Sequence, residues 1–168
     1  MPGTMGAKQV RGFIPMNRFY FFILLAGLAL SCKKSTTDPS QDFFPPVQVN
    51  TSVNLLLPQN INLSIAQGYV YLPEGYRGII VFHTTDDHFV AFDRACPYQT
   101  SDSCARISVD SSGVWFRCGT YSPSWKPCCN SKFDPVYGTV LTLPAKRSLK
   151  QYYTSKQDQV IYISSSPF

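Results

Sequence analysis

Histidine is scarce in this chain of 168 residues: there are two, His83 and His88, beside three methionines. Both flank the stretch Thr84-Thr85-Asp86-Asp87 and read most simply as surface turn residues rather than metal ligands. No Gly-x-Ser-x-Gly occurs, and no histidine stands in a recognisable frame with a serine or carboxylate, so hydrolytic classes are set aside and no catalysis is expected. Charge is thin at 15%, and no run of Lys or Arg follows the N-terminal region, which excludes the electrostatic footprint of a nucleic-acid binder. Internal repeats are absent, and no helical period lasts beyond two turns; thirteen prolines and ten glycines interrupt the chain too often for long helices. The uncharged apolar run at residues 19–30 is shorter than the about 20 residues a membrane-spanning helix needs.

That short run has another use. Preceded by Met16-Asn17-Arg18, it has the basic and apolar regions of a secretory signal, and the next residues, Ala29-Leu30-Ser31-Cys32, resemble a bacterial lipobox. The family usually has Leu where Ala29 stands. The resemblance implies that residues 1–31 are a signal peptide, that Cys32 is acylated, and that the protein partners the lipid membrane of the cell envelope. Residues 1–15 carry no signal pattern and read as a mis-assigned start. Removing the leader takes away Lys8, Arg11 and Arg18, leaving twelve Lys and Arg against ten Asp and Glu, a formal +2 in place of +5. Lys33 and Lys34 differ from the acidic signal that retains some lipoproteins at an inner membrane, favouring an outer-membrane or periplasmic-face address. Residues 32–50 are polar and proline-containing, as an anchor and flexible tether would be.

From there the chain reads as one domain over residues 51–168, since its length suits a single core. Twelve Phe, ten Tyr and two Trp favour strands. Strand-sized runs are predicted at 53–57, 61–65, 68–72, 78–83, 88–93, 106–109, 114–117, 139–143, 151–154 and 160–163. Pro73-Glu74-Gly75, Thr84 to Asp87, Asp110-Ser111-Ser112-Gly113 and Gln157-Asp158 supply the turns. An all-β fold of small packed antiparallel sheets follows.

Five of the six cysteines, Cys96, Cys104, Cys118, Cys128 and Cys129, fall between residues 94 and 138. Their frame reads Asp93-Arg94-Ala95-Cys96-Pro97-Tyr98, then Lys126-Pro127-Cys128-Cys129-Asn130-Ser131-Lys132-Phe133-Asp134, followed by Gly138, Pro144-Ala145, Leu149 and Tyr152. Over about residues 65–165 the chain resembles a Rieske iron–sulfur domain, most closely the bacterial Rieske-like lipoproteins with a cysteine pair before the Ser-x-Phe turn. The resemblance implies a Rieske-like fold with a cysteine-bearing loop subdomain near residues 94–143. In that family two Cys and two His hold a 2Fe-2S cluster. Carried across, the ligand positions are occupied by Cys96, Tyr98, Lys126 and Cys129: two thiols and no imidazole. A shifted frame using Cys118-Gly119-Thr120-Tyr121 would leave tyrosine at both imidazole positions as well.

The family's two loops are clamped by a disulfide whose positions match Cys104 and Cys128, although the first loop is longer here, eight positions from Cys96 to Cys104 rather than five. Cys96 and Cys129 would then face the vacated cluster site as a candidate second disulfide, with Cys118 the odd thiol. The oxidising compartment implied by the leader favours both bonds, whereas adjacent Cys128 and Cys129 meet disulfide geometry only with a distorted peptide. Three readings result. The first is a cluster-free, disulfide-stabilised binding or structural module with no cofactor and no metal. The second is an electron-transfer protein holding a non-standard 2Fe-2S cluster through Cys96, Cys104, Cys128 and Cys129. The third is a thiol-redox or soft-metal protein that uses the Cys128-Cys129 pair for disulfide exchange or metal capture, with Arg94 and Lys126 the cations nearest in sequence. The aromatic residues Tyr98, Trp115, Tyr121, Trp125 and Tyr137 either pack the subdomain or form an exposed tip for a protein partner.

Overall fold

Residues 79–82, Ile-Ile-Val-Phe, form an unbroken apolar run, and a strand with this pattern must be covered on both faces. The structure, a computed structural model describing residues 44–121 and 123–168, covers it in that way. The leader, Cys32 and most of the expected tether lie outside the described residues. Among the described residues, ten strands form two antiparallel sheets. The larger contains β1 (Asn50–Asn54), β2 (Tyr69–Leu72), β3 (Ile79–His83), β4 (Phe89–Asp93), β9 (Gln151–Gln157) and β10 (Val160–Ser164), in the order β1-β10-β9-β4-β3-β2. The smaller runs β5 (Ile107–Val109), β6 (Phe116–Tyr121), β7 (Trp125–Phe133) and β8 (Val140–Thr142), in that order. The all-β class with antiparallel sheets is as expected.

Alternate side chains of β3 and β4 feed two cores. Ile79, Val81, Phe89 and Ala91 join Val53, Leu63, Tyr152, Ile161 and Ile163 on one face. Ile80, Phe82 and Phe92 join Ile107, Phe116 and Phe133 of the smaller sheet, together with Cys96 and Cys118, on the other. The expected turns at 84–87, 110–113 and 157–158 each join neighbouring antiparallel strands. They use left-handed backbone at Asp87, Gly113 and Asp158, where a tight hairpin demands it.

Four expectations need correction. Residues 61–65 do not form a strand: Pro58–Ser64 is a 3₁₀ helix that buries Leu63 and leaves Ile61 and Ile65 exposed, so the alternation that mimicked a strand serves a single anchoring side chain. Pro58 fits the first turn because its missing N–H is not needed there. The domain also starts before residue 51, since Phe44 and Val49 are already buried. His83 is not a surface residue. Only 8% exposed, it stacks on Phe89 with ring centroids 4.4 Å apart, and its ring nitrogens lie 3.1 Å from Ile65 O and 2.9 Å from Asp87 Oδ1. His88 does sit exposed in the turn. Finally, β7 occupies a stretch expected to be a ligand loop, and it determines the shape of the site.

Candidate functional site: a three-thiol cradle beside a disulfide

Strand β7 pairs with β6 at both ends and leaves the ladder between them. Tyr121, Thr120 and Gly119 face Trp125, Lys126 and Pro127, whereas Arg117 and Phe116 face Lys132 and Phe133. Residues 128–131 therefore bulge out opposite Cys118. Pro127, which has no N–H for the ladder, stands where the pairing breaks. Gly119 sits opposite it at φ +151, and a Cβ there would meet Lys126 O at 2.4 Å and the Trp125 ring at 2.7 Å, so the crossing requires glycine.

Cys96 arrives from the other side. It follows β4 in a loop closed by the bridge between Ala95 and Arg106 and by Cys96 N–H donating to Ala105 O at 3.0 Å. Asp93, fully buried at the end of β4, directs this departure: its carboxylate accepts from the N–H groups of Tyr76, Arg77 and Ala95 and from the Tyr152 hydroxyl at 2.7 Å. At the far end of the loop Cys104 is bonded to Cys128, with Cα atoms 5.3 Å apart, the clamp that the resemblance implied.

The second expected bond is not formed. Cys96 and Cys129 are free, with their sulfurs in contact at 3.8 Å, well beyond the about 2.03 Å of a disulfide. Cys118 is the third member rather than an odd thiol, since the sulfurs of Cys96, Cys118 and Cys129 all lie within 4.8 Å of one another. Cys96 and Cys118 are fully buried and Cys129 half-buried. The Cys129 thiol donates to Ser131 Oγ at 3.3 Å, and the same oxygen accepts from Ala145 N–H at 2.8 Å. A hydrogen bond from Cys118, and behind it the N–H of Tyr98 and the thiol of Cys129, hold the Cys96 thiol below its usual range against the opposing effect of burial. Cys118 is pushed far up, first by that bond to Cys96 and then by its own burial. Of these two thiols, Cys96 is the more readily ionised.

Other expected site residues stand elsewhere. Lys126 is exposed on β7, paired with Thr120 and outside the thiol contact. Arg94 does not act on the thiols: its guanidinium lies 3.6 Å over the Tyr71 ring and donates to Ile107 O and Ser108 Oγ, tying the two sheets together. Tyr98 is half-buried against the second core. The five aromatic residues do not gather into one tip. Trp115 precedes β6, whereas Tyr121 and Trp125 close the β6–β7 turn at its other end, about 20 Å along the strand. Tyr121 and Trp125 are in contact, with ring centroids 4.9 Å apart, and Arg117 lies 4.6 Å over the Trp125 ring.

The donor set can be tested against an iron–sulfur centre. A Rieske cluster takes two Cys and two His. Here His83 is engaged by Ile65 and Asp87, His88 lies in an exposed turn, and Tyr98 and Cys129 hold the imidazole positions. A four-thiolate 2Fe-2S centre needs four free cysteines, and with Cys104 and Cys128 bonded to each other three remain among the described residues. The residues present do not fit either centre.

No protein-family profile matches the chain, and no curated protein matches it. Among solved structures it is similar to a plasma-membrane Rieske protein from Synechocystis PCC 6803, with 22% identity over 57% of this chain and 83% of that one and a TM-score of 0.42. It is also similar to the ferredoxin of carbazole 1,9a-dioxygenase from Nocardioides aromaticivorans IC177, with 14% identity over 69% and 99% of the two chains and a TM-score of 0.44. A ferredoxin from Sphingomonas yanoikuyae B1 matches at 15% identity over 63% and 94%, with a TM-score of 0.40. The all-β class rests on the chain's own two antiparallel sheets.

Proposed function

We propose that this is an exported, lipid-anchored protein of the cell envelope whose Rieske-like domain works without an iron–sulfur centre, as a disulfide-stabilised binding or structural module. One observation carries this reading: the two loops are clamped by Cys104–Cys128, while the positions that would ligate a cluster hold Cys96, Tyr98, Lys126 and Cys129. The lipobox-like Ala29-Leu30-Ser31-Cys32 supports the anchor and the outer-membrane or periplasmic-face address. The contact pair Tyr121 and Trp125, with Arg117 over the indole, is the surface that best suits a protein partner. The test is a visible spectrum, an iron and sulfide assay and non-reducing peptide mapping on protein purified from the envelope. A colourless protein with Cys104 bonded to Cys128 is expected. A brown protein with stoichiometric iron and sulfide would overturn the reading in favour of electron transfer through unusual ligands. A second reading, thiol-redox or soft-metal chemistry, loses the expected Cys128-Cys129 pair because Cys128 is bonded to Cys104, and is favoured instead by the 3.8 Å contact between Cys96 and Cys129.

A further inference from the structure

Three thiols that meet in an apolar cradle have a geometry that can be compared with that of a metal ion. With metal–sulfur bonds of about 2.3 Å, sulfurs around one ion stand roughly 3.8 Å apart in a tetrahedron and 4.0 Å apart in a planar triangle. Cys96 and Cys129 already lie 3.8 Å apart, and no pair among Cys96, Cys118 and Cys129 exceeds 4.8 Å. Closing the triangle therefore requires less than about 1 Å of movement, and half-buried Cys129 can supply it by turning about its own side chain. The three come from three different segments: the loop after β4, the middle of β6 and the bulge of β7. The bulge, the Cys104–Cys128 bond and the Asp93 network fix those segments relative to one another.

From this geometry we infer that Cys96, Cys118 and Cys129 form a binding site for a single soft, thiophilic d10 cation in three-coordinate form, with Cu(I) the ion that fits best. Thiolate donors select Cu(I) and Zn(II) over harder ions. Structural zinc takes four ligands. The nearest candidate for a fourth, Ser131 Oγ, is buried, neutral and already accepts from Ala145 N–H and the Cys129 thiol. Cys96 and Cys118 belong to the same apolar core as Ile107, Phe116, Phe133 and Leu149, with Cys129 packed against it. The ion enters as Cu(I) and stays Cu(I); each thiol that coordinates releases its proton to solvent, and no electron is transferred. The inference rests on the cluster-free reading, since the same sulfurs cannot also hold iron.

The experiment uses the full-length protein, isolated anaerobically, with iron and sulfide assayed and Cys104–Cys128 verified on the same sample. Cu(I) is supplied with ascorbate, which does not reduce the disulfide, in competition with a chromophoric Cu(I) chelator, and Zn(II) is titrated separately. The expected result is one Cu(I) per chain, an X-ray absorption spectrum fitted by three sulfurs near about 2.3 Å, and weaker zinc binding. Cys118→Ser and Cys129→Ser are each expected to lower Cu(I) affinity at least tenfold with the circular dichroism spectrum unchanged; if the buried Cys118→Ser chain does not fold, the Cys129→Ser chain decides. No competition with the chelator, tighter zinc than copper, or a Cys129→Ser protein that binds like the wild type would each overturn the inference and leave the cluster-free reading standing. Stoichiometric iron and sulfide would overturn both.

Discussion

Replacing Tyr152 by Phe removes one oxygen from the most heavily used polar junction of the domain. Tyr152 lies on β9 opposite Ala91, 2% exposed, and donates to Asp93 Oδ2 at 2.7 Å. Asp93 is fully buried, and its other partners are the backbone N–H groups of Tyr76, Arg77 and Ala95. A hydrogen bond to a charged acceptor contributes about 1.5–3 kcal/mol net, and water cannot replace the lost donor at this depth. The expected loss is therefore about 2 kcal/mol, or roughly 6–12 °C in Tm for a domain of this size, read by urea and thermal unfolding. The pH dependence gives a second readout. Burial, then the neighbouring Asp93 charge and the hydrogen bond to it, raise the phenol above its ordinary 10.0. The stability contributed by the protonated phenol is whole below that pH and is lost as the pH rises above it, because the unfolded chain ionises first. Subtracting the Tyr152→Phe curve from the wild type should leave a difference that is flat to about pH 10 and falls beyond it. Because Asp93 also holds Ala95 next to Cys96, the variant should alkylate faster at Cys96. A loss below about 0.5 kcal/mol, the scale of an ordinary surface substitution, with an unchanged alkaline limb would refute the claim that this junction supports the site.

The remaining predictions are these. The double substitution Cys104→Ala with Cys128→Ala removes a bond spanning a sequence separation of 24, which the chain-entropy relation sets at about 3.5 kcal/mol; a urea midpoint that does not move would show that the clamp constrains nothing. Ser131→Ala strands the buried N–H of Ala145 and takes a partner from Cys129, for an expected cost of about 1–3 kcal/mol and faster Cys129 modification by an alkylating reagent. Gly138→Ala forces a side chain into left-handed backbone at φ +65 with its Cβ 2.6 Å from the Phe92 ring, so a loss of at least about 1 kcal/mol is expected by thermal unfolding, with Gly138→Asn milder in backbone strain but not in the clash.

The strands that lie in hairpins were legible because period, breaks and length agreed. Residues 79–83 and 89–93 carry enough apolar and β-branched residues to be strands in any context, and the Thr84 to Asp87 turn between them is polar. Residues 61–65 show a strand-like alternation that a 3₁₀ helix also produces when, of these five, Leu63 alone is buried. Strand β7 was hidden by its own composition: Pro127 and two adjacent cysteines read as a loop, and pairing on either side of a bulge is a property of two strands at once. The same bulge explains why the site was only partly legible. Cys104–Cys128 came from the resemblance, which fixes loop positions. Cys118 has no counterpart in that frame and enters the site because β6 passes beneath the bulge. His83 shows the limit of local reading, since its burial comes from Phe89 and the backbone of Ile65, neither of which marks it in a one-dimensional pattern.

The three thiols also bear on how the second core packs. A charged sulfur trio in an apolar cradle would be costly, but protonated thiols behave as small hydrophobic groups. The bond to Cys96 and then burial both favour the neutral form of Cys118, which packs in the second core with Phe116 and Phe133. The clamp at Cys104–Cys128 and the Asp93 junction lie outside the trio and do not require it to be loaded. This differs from a small zinc domain, where ligand charge is tolerated only with the metal bound and the apo chain unfolds. Occupied as inferred above, the cradle would add stability by mass action, about 2.7 kcal/mol at a ligand concentration a hundred times the dissociation constant.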